Sequence, residues 1–511
     1  MTMALNDTAD HDAAPGGAAR QGAAGLPRLL PQAPEDLQAH LSRYGTVPYR
    51  GRPKILIGDV EASGLTGRGG AAFPVHRKLA AVAGARGGRK VIVANGSESE
   101  PASRKDELLL RIAPHLVLDG LQLAAEAVGA TEAHLYLHAA PGPQILHALA
   151  QRASRRLDPL PVTITQAPPR FLAGQETALV NRLGGGPALP TFQPPRVSER
   201  GLGGAPTLVQ NVETLAHLAQ IARYGPRWFR SVGTEAEPGS MLTTVYRPDH
   251  KTEIHEVPTG LPIRALLGDG QETQAWLVGG YHGAWLPLPD AAGLTLDRAS
   301  LRKYGAAPGA GVLAALPADR CGLAETARIV GYLAAESAGQ CGPCLNGLPR
   351  IAAALNELAG AGHRKQTRAD LERWAGLVTG RGACNHPDGT VASSAARCGC
   401  SRPRSPGTPA ASARPGTASR SCPCRTACPR ANRTGSDHGP EGQPDRLHRP
   451  RHVRRAAARA DRGGRVGVPR HRPAPGPVHP GARRAQGGGR LPHPGAQAGT
   501  ERRARPFVLK T

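Results

Sequence analysis

Long apolar runs are missing from this sequence. No stretch approaches the roughly 18 consecutive apolar residues of a membrane-spanning helix, so we predict no transmembrane segment. Residues 1–17 are acidic and lack the basic start and apolar stretch of a secretory signal. We therefore expect a cytoplasmic chain, peripheral to a membrane only through a partner. Its nine cysteines are then expected to be metal ligands or free thiols rather than disulfides.

The C-terminal region lacks the residues that build a core. Residues 392–511 contain no Ile, Tyr or Trp, one Phe and one Lys, while Arg, Pro, Gly and Ala dominate. Such a composition buries too little apolar surface to offset the entropy of ordering, so we predict a disordered basic tail. This tail carries a net charge of +20 of the chain's +25, which leaves +5 for the rest. Nucleic-acid binding through the tail is one alternative function, although we do not expect nucleic acid as a partner.

The tail also carries five cysteines that we interpret as accidental: Cys398, Cys400, Cys422, Cys424 and Cys428. Back-translated with GC-rich codons and read in another frame, residues 393–408 give a plausible amphipathic helix. Residues 445–469, treated in the same way, give a string similar to a small ferredoxin. Because the two alternative frames differ, either two frameshifts occurred or one match is chance. We interpret residues 392–511 as an out-of-frame tail.

Alternating strand and helix patterns follow in the body of the chain. Residues 90–95 and 133–138 are short apolar runs typical of buried strands, and 161–165 is a third strand. Apolar residues at helical spacing cover 106–128 and about 142–156. This order predicts an α/β domain with a mainly parallel sheet. Short strands with turn signals follow near 240–308, and helical periodicity covers 322–378.

Two kinds of motif could carry chemistry in the α/β part. The first is a glycine-rich turn with Gly67, Arg68, Gly69, Gly70 and Phe73, followed by Lys78. Closely spaced glycines let backbone N–H groups approach a phosphate, although a purely structural turn is the alternative. The second kind consists of polar segments after strands or at helix starts, where open α/β sheets bind ligands and where a solvated loop or a helix cap is the alternative. These segments contain Asn95, Glu98, Ser99, Gly174, Gln175, Glu176, Asn211 and Thr214.

A cysteine pattern in the helical part indicates a metal site. Cys341 and Cys344 are spaced C-x-x-C, and Cys384 lies forty residues beyond the pair. This is ligand spacing for zinc or an iron–sulfur cluster, and free thiols are the alternative.

Together, in this order, these motifs resemble the NADH-binding flavoprotein subunit of respiratory complex I and its relatives in NAD-linked hydrogenases and formate dehydrogenases. The resemblance covers residues 45–391. It implies an FMN- and NAD-binding α/β domain at 45–239, a β-grasp insert at 240–310 and a helical iron–sulfur domain at 311–391. Residues 1–44 complete the predicted division as a disordered N-terminus.

The resemblance also implies an activity and a set of partners. The expected function is oxidation of NAD(P)H at FMN, with electrons passed to an iron–sulfur cluster and then to a protein acceptor, such as a ferredoxin or a membrane redox subunit. Hydride transfer needs two rings held face to face, so the absence of a catalytic acid–base dyad is expected. A non-catalytic electron-transfer or scaffold subunit that lost a cofactor is the alternative.

Carried over by position, the glycine-rich turn and Lys78 resemble the cradle for the FMN and dinucleotide phosphates, and Phe73 resembles a residue stacked on a ring. Asn95, Glu98 and Ser99 resemble residues around FMN and the nicotinamide. Gly174, Glu176, Asn211 and Thr214 resemble the second half of the flavin site.

Three positions depart from the family pattern. Ser97 replaces an acidic residue, and Gln175 replaces the first Glu of the GEET motif. Both departures remove a negative charge near the dinucleotide, which leaves NADH and NADPH both open as substrates. The third departure is Ala338, which replaces the first cysteine of the cluster motif and cannot bind iron. We predict a 4Fe-4S or 3Fe-4S cluster on Cys341, Cys344 and Cys384, with Cys321 as the fourth ligand and His386 as a weaker candidate.

Overall fold

The computed structural model describes residues 25–51, 53–138, 140–248, 252–268, 272–360 and 365–394. The predicted basic tail and its five cysteines lie outside the described residues. The described residues all lie within one compact unit, residues 1–432.

The first half of the chain forms a layered α/β domain. Its helices are α1 (Leu37–Tyr44), α2 (Pro53–Ser63), α3 (Val75–Gly84), α4 (Lys105–Ile112), α5 (Pro114–Val128), α6 (Pro143–Ser154), α7 (Glu176–Leu183) and α8 (Val212–Phe229). Its strands are β1 (Val91–Gly96), β2 (Glu132–Leu137), β3 (Val162–Gln166) and β4 (Thr207–Asn211), all parallel, in the order β3-β2-β1-β4. The prediction of a parallel α/β sheet is confirmed.

Helices cover both faces of this sheet. One face packs against α5 and α8 in the largest apolar core, and the other packs against α7 and the segments beside it. Burial on both faces explains why β1 is a continuous apolar run. At the α5–α8 contact, a Cβ on Gly120 would lie 1.9 Å from the Leu215 carbonyl oxygen, so only glycine allows the two helices to approach this closely.

The second half contains a smaller mixed sheet and a helical bundle. The sheet is formed by β5 (Ser240–Tyr246), β6 (Thr252–Pro258), β7 (Thr273–Val278), β8 (Ala284–Pro287) and β9 (Val312–Pro317), in the order β6-β5-β9-β7-β8. Two short helices accompany it, α9 (Arg264–Leu267) and α10 (Arg298–Leu301). The bundle consists of α11 (Gly322–Ala335), α12 (Leu348–Ala359), α13 (Thr367–Val378) and α14 (His386–Ser394). Both regions were predicted, as a β-rich insert and a helical domain.

The structure corrects several predicted boundaries. Residues 25–44 are ordered rather than disordered, because Leu29 and Leu37 are buried and the backbone N–H of Leu29 donates to Glu256 at 2.6 Å. The predicted end of the small β domain at 310 is too early, since β9 completes its sheet. The body also extends past Val391, because the Ser393 hydroxyl donates to the carbonyl oxygen of Tyr281 at 2.6 Å.

The helix predicted over 106–128 is two helices. Pro114 begins α5, and the axes of α4 and α5 differ by 97°. Among the described residues, no single helix has the length and apolar character needed to cross a membrane. This bent pair has them only when its two helices are taken together, and nearly every residue of α5 is buried inside the protein.

Candidate functional site

The four-stranded sheet reverses its strand order beside β1. The chain goes from β1 to β2 on one side and later returns to β4 on the other, so β1 and β4 flank a topological switch point. Asn95 at the end of β1 is the register partner of Asn211 at the end of β4. Open α/β sheets bind ligands at the carboxyl ends of strands at such a point. We call this place, between the ends of β1 and β4, the carboxyl edge.

The glycine-rich turn closes over this edge. The Gly67 N–H donates to the Phe73 carbonyl oxygen at 3.0 Å, which pins the turn and half-buries Phe73. The Arg68 N–H donates to Thr214 Oγ1 at 2.9 Å, in the first turn of α8. A Cβ on Gly69 would lie 3.4 Å from the Asn211 Cβ. The turn therefore packs directly on the end of β4.

The remaining predicted segments meet at the same edge. Asn95 Nδ2 donates to the Gly174 carbonyl oxygen at 2.9 Å. A Cβ on Gly174 would lie 2.8 Å from Ser99 Oγ, so a larger residue there would push the two segments apart. Lys78 pairs with Glu176 at 3.0 Å, and both side chains are partly exposed. The structure thus brings the separate sequence motifs together, while their individual roles remain predictions.

Arg68 differs from its predicted role as a phosphate ligand. Its guanidinium is buried and donates to Thr66 Oγ1 at 3.2 Å and to the Pro238 carbonyl oxygen at 3.3 Å. Burial lowers the pKa of Arg68. The side chain therefore ties the turn to the segment before β5. The partly exposed ammonium of Lys78 is the better candidate for a phosphate contact.

Two predicted site residues, one a carboxylate and one a carboxamide, act as helix caps. Glu98 accepts the backbone N–H groups of Asp106 at 3.1 Å and Glu107 at 3.2 Å, in the first turn of α4. Gln175 Oε1 accepts the N–H groups of Thr177 and Ala178, both at 2.9 Å, at the start of α7. An amide oxygen thus supplies the cap at the position where the family has glutamate. The departure at Gln175 removes a charge but keeps the local fold.

A buried charge network lies beneath the edge, and the sequence interpretation missed it. Lys105 Nζ lies 2.6 Å from Asp106 Oδ1 and 2.9 Å from Glu213 Oε2, and all three side chains are nearly inaccessible. Asp106 also accepts from Asn211 Nδ2 at 2.6 Å, which joins the network to the end of β4. The sequence signal was weak, because charged residues in helical segments usually face solvent.

The electrostatics of this network shift the pKa values of its two carboxyl groups in opposite directions. Burial raises the pKa of Asp106 to about 7 despite Lys105, and the nearby Glu98 and Glu213 carboxylates add to the rise. Burial alone would raise the pKa of Glu213 too, but Lys105 and His217 hold it at about 2. Lys105 stays charged, because Asp106 and Glu213 outweigh its burial and raise its pKa.

Glu100 is a second feature that the sequence interpretation missed. Its carboxylate accepts the backbone N–H groups of Tyr281 at 3.0 Å and Ala102 at 3.2 Å, so it links the carboxyl edge to the loop after β7. Burial raises the pKa of Glu100 to about 7, and Glu98 adds to the rise. Its position two residues after Glu98 in the same motif was the available signal.

Two of the predicted cysteine ligands, Cys341 and Cys344, lie just before α12, and Cys384 lies just before α14. Cys341 begins the turn that leads into α12, since its carbonyl oxygen accepts the Leu345 N–H at 3.0 Å. The pKa of Cys341 is lowered, because hydrogen bonding from Ala383 and Cys344 outweighs its burial. Cys344 is 3% exposed; burial raises its pKa to about 11, and Cys341 and Cys384 add to the rise. Burial also raises the pKa of Cys384, and Cys341 adds to that rise. The structure therefore brings these three predicted ligands into one neighbourhood.

Cys321 does not join them. It caps the N-terminal end of α11, whereas the other cysteines lie beyond the C-terminal end. His386, two residues after Cys384, bonds to the carbonyl oxygen of Leu333 at 2.9 Å, near that C-terminal end. About 18 Å of helix axis separates Cys321 from Leu333, at 1.5 Å per residue. The prediction of Cys321 as the fourth ligand does not agree with the structure, because closeness in sequence does not bring Cys321 near the other cysteines.

The His386 ring lies in a cluster of rings. Its ring centroid lies 5.5 Å from that of Phe171 and 5.2 Å from that of His282. Burial lowers the pKa of His386, so the ring is neutral at pH 7. The hydrogen bond to the Leu333 carbonyl oxygen fixes its proton on Nε2.

Glu336 joins the carboxyl edge to residues 337–344, which contain Cys341 and Cys344 and which we call the cysteine loop. It accepts the Arg170 Nε–H and the Phe171 backbone N–H, both at 2.9 Å. Phe171 begins the short turn that ends at Gly174, and Glu336 precedes Cys341 by five residues. Glu336 therefore links the 171–174 segment at the carboxyl edge to the stretch of chain that leads into Cys341.

Comparison with known proteins agrees with this geometry. Residues 60–220 match the Nuo51 FMN-binding domain, and residues 324–396 match the NADH-ubiquinone oxidoreductase-F iron-sulfur binding region. The F subunit of NADH-quinone oxidoreductase from Mycobacterium tuberculosis is 30% identical over 317 residues, which are 58% of this chain and 71% of the relative. The chain belongs to the family of NADH-quinone oxidoreductase F subunits.

Other relatives extend the comparison. The F 2 subunit of NADH-quinone oxidoreductase from Rhizobium meliloti is 29% identical over 64% of this chain and 82% of its own length. The HndC subunit of the NADP-reducing hydrogenase from Solidesulfovibrio fructosivorans is 27% identical over 67% of this chain and 74% of its own length. A crystal structure of NAD+-reducing [NiFe]-hydrogenase superposes with a TM-score of 0.62 at 28% identity. That match covers 67% of this chain and 60% of the hydrogenase chain.

The residues at the carboxyl edge fit a flavin phosphate ester. Glycines stand where side chains would fill the space between the turn, β4 and the 171–174 segment. Gly70 has a φ of 105°, a backbone conformation that residues with a side chain rarely adopt. The Ser97 hydroxyl is buried at the edge and has no protein partner among the described residues. Lys78 supplies a partly exposed positive charge.

A four-thiolate cluster does not fit the cysteine loop. Three thiols are present in the neighbourhood, Ala338 stands at the first family position, and Cys321 is at the far end of α11. Within the part of the chain that the structure describes, no three Cys, His, Asp or Glu residues are grouped closely enough to hold a metal ion. The family's iron–sulfur region is thus present with one ligand missing.

Proposed function

We propose that this chain oxidises NAD(P)H at FMN bound at the carboxyl edge and passes the electrons to the cysteine loop, from which a protein acceptor takes them. The observation that carries the proposal is the convergence of the glycine-rich turn, Asn95, Gly174 and Asn211 at the switch point of the parallel sheet. The FMN-binding and iron–sulfur family regions on either side of the small β domain support the same direction of transfer.

The chain's own residues have positioning tasks in this reaction. Lys78 and the backbone N–H groups of Gly69 and Gly70 would bind the phosphate, because the N–H groups of Gly67 and Arg68 already have acceptors within the protein. Gly69 and Gly174 leave room for the flavin close to the backbone. When bound, FMN supplies the hydride acceptor, and no acid–base pair is required of the protein. The Lys105–Asp106–Glu213 network holds the ends of β1 and β4 in register from below.

The dinucleotide preference follows from two lost charges. Ser97 is buried at the edge, and Gln175 caps α7 through a neutral amide. A carboxylate at either position would repel the 2′-phosphate of NADPH, and its absence removes that discrimination. We therefore propose that NADPH and NADH are both substrates. Gln175→Glu combined with Ser97→Asp should raise the ratio of kcat/KM for NADH to that for NADPH.

The acceptor is proposed to be a protein that docks at the helical part. Relatives of this chain are named as subunits, one of them of an NADP-reducing hydrogenase. A cytoplasmic location fits the free thiols of Cys321, Cys341, Cys344 and Cys384, which a reducing compartment preserves.

Flavin analysis of the full chain tests the proposal. We expect protein purified anaerobically and reconstituted with excess FMN to retain flavin after desalting, and added NADH or NADPH to bleach its absorbance. Lys78→Ala should raise the Kd for FMN at least about tenfold and so lower the flavin retained after desalting, since a charged contact to phosphate contributes about 1.5–3 kcal/mol. Lys303→Ala, which removes an exposed lysine of the small β domain, is the matched control and should leave occupancy unchanged.

A chain that folds but retains no FMN would contradict the proposal. That result would instead favour a scaffold subunit that kept the fold and lost its cofactor.

A further inference from the structure

The first turn leading into α12 carries two cysteines in the sequence Cys341-Gly-Pro-Cys344. Cys341 is at the residue where the helical hydrogen bonding begins, and Pro343–Gly347 continue the turn into α12. A C-x-x-C pair at the N-terminus of a helix is an arrangement that also serves thiol–disulfide chemistry. The pair could therefore carry out thiol–disulfide exchange as well as bind a metal.

The two cysteines lie on one side of the same turn. The turn is closed by the hydrogen bond from the Leu345 N–H to the Cys341 carbonyl oxygen at 3.0 Å, and residues three apart in a helical turn are neighbours on its surface. Cys384 contributes only a longer-range interaction to either of them. The geometry is thus that of a pair with a more distant third thiol.

The pair is also asymmetric in exposure. Cys341 is partly exposed, whereas Cys344 is buried. A dithiol that exchanges with an external disulfide needs one accessible sulfur that attacks and one protected sulfur that resolves the intermediate. These two positions meet both needs.

The missing fourth ligand frees the pair for this chemistry. Ala338 cannot bind iron, and Cys321 lies about 18 Å along the axis of α11 from Leu333, at the end of the helix away from the other cysteines. A 4Fe-4S cluster on these three thiolates would have one iron without a protein ligand. The disulfide, in contrast, needs only the two cysteines that lie on one side of the same turn.

We propose that Cys341 and Cys344 act as a dithiol–disulfide couple that reduces a disulfide substrate. The electrons come from NAD(P)H at the carboxyl edge, so for its reductant this inference rests on the proposed function. Glu336, which contacts Arg170 and Phe171, holds the cysteine loop beside the 171–174 segment. The couple thereby adds a two-electron acceptor to the proposed path.

The exchange balances in two steps. The Cys341 thiolate attacks one sulfur of the substrate disulfide, the S–S bond breaks, and the leaving sulfur departs and takes up a proton. Cys344 then loses its proton and attacks Cys341, which forms the Cys341–Cys344 disulfide and releases the second substrate thiol. The substrate gains two electrons and two protons. One hydride from NAD(P)H and one proton from solvent return the pair to the dithiol.

Thiol trapping of the full chain tests the couple directly. The protein is equilibrated anaerobically with mixtures of reduced and oxidised glutathione, alkylated, and read peptide by peptide, because five further cysteines lie in residues 395–511. We expect Cys341 and Cys344 to lose alkylation together across the titration and to form an internal disulfide. Cys384 should remain alkylated throughout.

Three variants sharpen the result. Cys344→Ser should stop at a mixed disulfide on Cys341 with glutathione, whereas Cys384→Ser should leave the titration unchanged. Ala338→Cys restores the four-cysteine motif, and we expect it to raise iron retention after anaerobic reconstitution and to suppress disulfide formation. The proposal is overturned if Cys341 and Cys344 stay alkylated in all mixtures, or if the unaltered chain retains a full cluster that only Cys384→Ser releases.

A separate arm distinguishes the couple from its source of electrons. Protein carrying the disulfide is mixed with FMN and NADH, and recovery of the two thiols is measured. Recovery supports both proposals. A normal glutathione titration without recovery supports the couple and overturns its supply by NAD(P)H, which points to a failure of the proposed function.

Discussion

The carboxyl edge and the cysteine loop each depart from the family pattern, with different consequences. At the edge, Gln175 replaces a glutamate, yet its amide oxygen still accepts two N–H groups of α7. In the cysteine loop, Ala338 replaces a ligand, and among the described residues no three Cys, His, Asp or Glu side chains are grouped closely enough to hold a metal ion. A helix cap needs an oxygen of either charge state, whereas an iron ligand needs a soft donor atom. A helix cap therefore tolerates the loss of a charge, whereas a metal site loses a ligand when its donor atom is replaced.

The strongest test of the edge removes the charge on which its buried network depends. Lys105→Met leaves Asp106 and Glu213 buried without their cation. We expect the free energy of unfolding to fall by about 3–5 kcal/mol, as when one partner of a buried pair is lost. Urea denaturation measures the change. Addition of Glu213→Gln should recover part of the loss, and a Lys105→Met variant within about 1 kcal/mol of the parent would show that the network is not structural.

The next test uses pH. The folded pKa of Glu100 is about 7, above its ordinary value of 4.5, so the folded chain holds this proton more firmly than the unfolded chain. Its contribution to stability is complete below pH 4.5 and is lost as pH rises through 7. The loss amounts to ~3 kcal/mol at most, from the linkage relation.

Glu100→Gln should flatten this part of the stability curve, because the amide still accepts a backbone N–H and does not ionise. Denaturation at pH 5, 6, 7 and 8 compares the two proteins. Identical slopes in both would place the titration elsewhere, with Asp106 as the first alternative.

A smaller effect is expected from the cap that replaced a carboxylate. Gln175→Ala should cost about 1 kcal/mol, because two N–H groups of α7 lose their acceptor. Gln175→Glu should be neutral or stabilising by about 0.3–1 kcal/mol, since a negative charge favours a helix N-terminus. Thermal unfolding of both variants tests the claim that oxygen, not charge, matters here. Equal losses in both would refute it.

The smallest effect is predicted for the cysteine outside the loop. Cys321→Ser should change neither the iron content nor the glutathione titration, because Cys321 lies at the opposite end of α11 from the other cysteines. Iron analysis after anaerobic reconstitution provides the measurement. A clear loss of iron in this variant would return Cys321 to the ligand set and would show that α11 does not separate the sites in solution.

Much of the architecture could be predicted from the sequence. The apolar run of β1, the strands β2 and β3 and the helical periodicity of α6 predicted a parallel α/β domain, and the C-x-x-C pair predicted a cysteine site. The boundaries of helices and domains were harder to predict from the sequence. Pro114 divides a long helical pattern into α4 and α5, and residues 25–44 looked disordered because the contacts of Leu29 and Arg28 are made with residues about 200 positions away.

The sequence by itself determined which motifs are present, their order, and that Ala338 cannot bind iron, because these are properties of single residues and local spacing. Only the tertiary structure decided that the Arg68 guanidinium is buried, that Glu98 caps α4, and that Lys105 joins Asp106 to Glu213. It also decided that Cys321 is remote from Cys341. Hydrogen bonds and charges act over a few ångströms in space, and sequence separation says little about that distance until the helices and strands have packed.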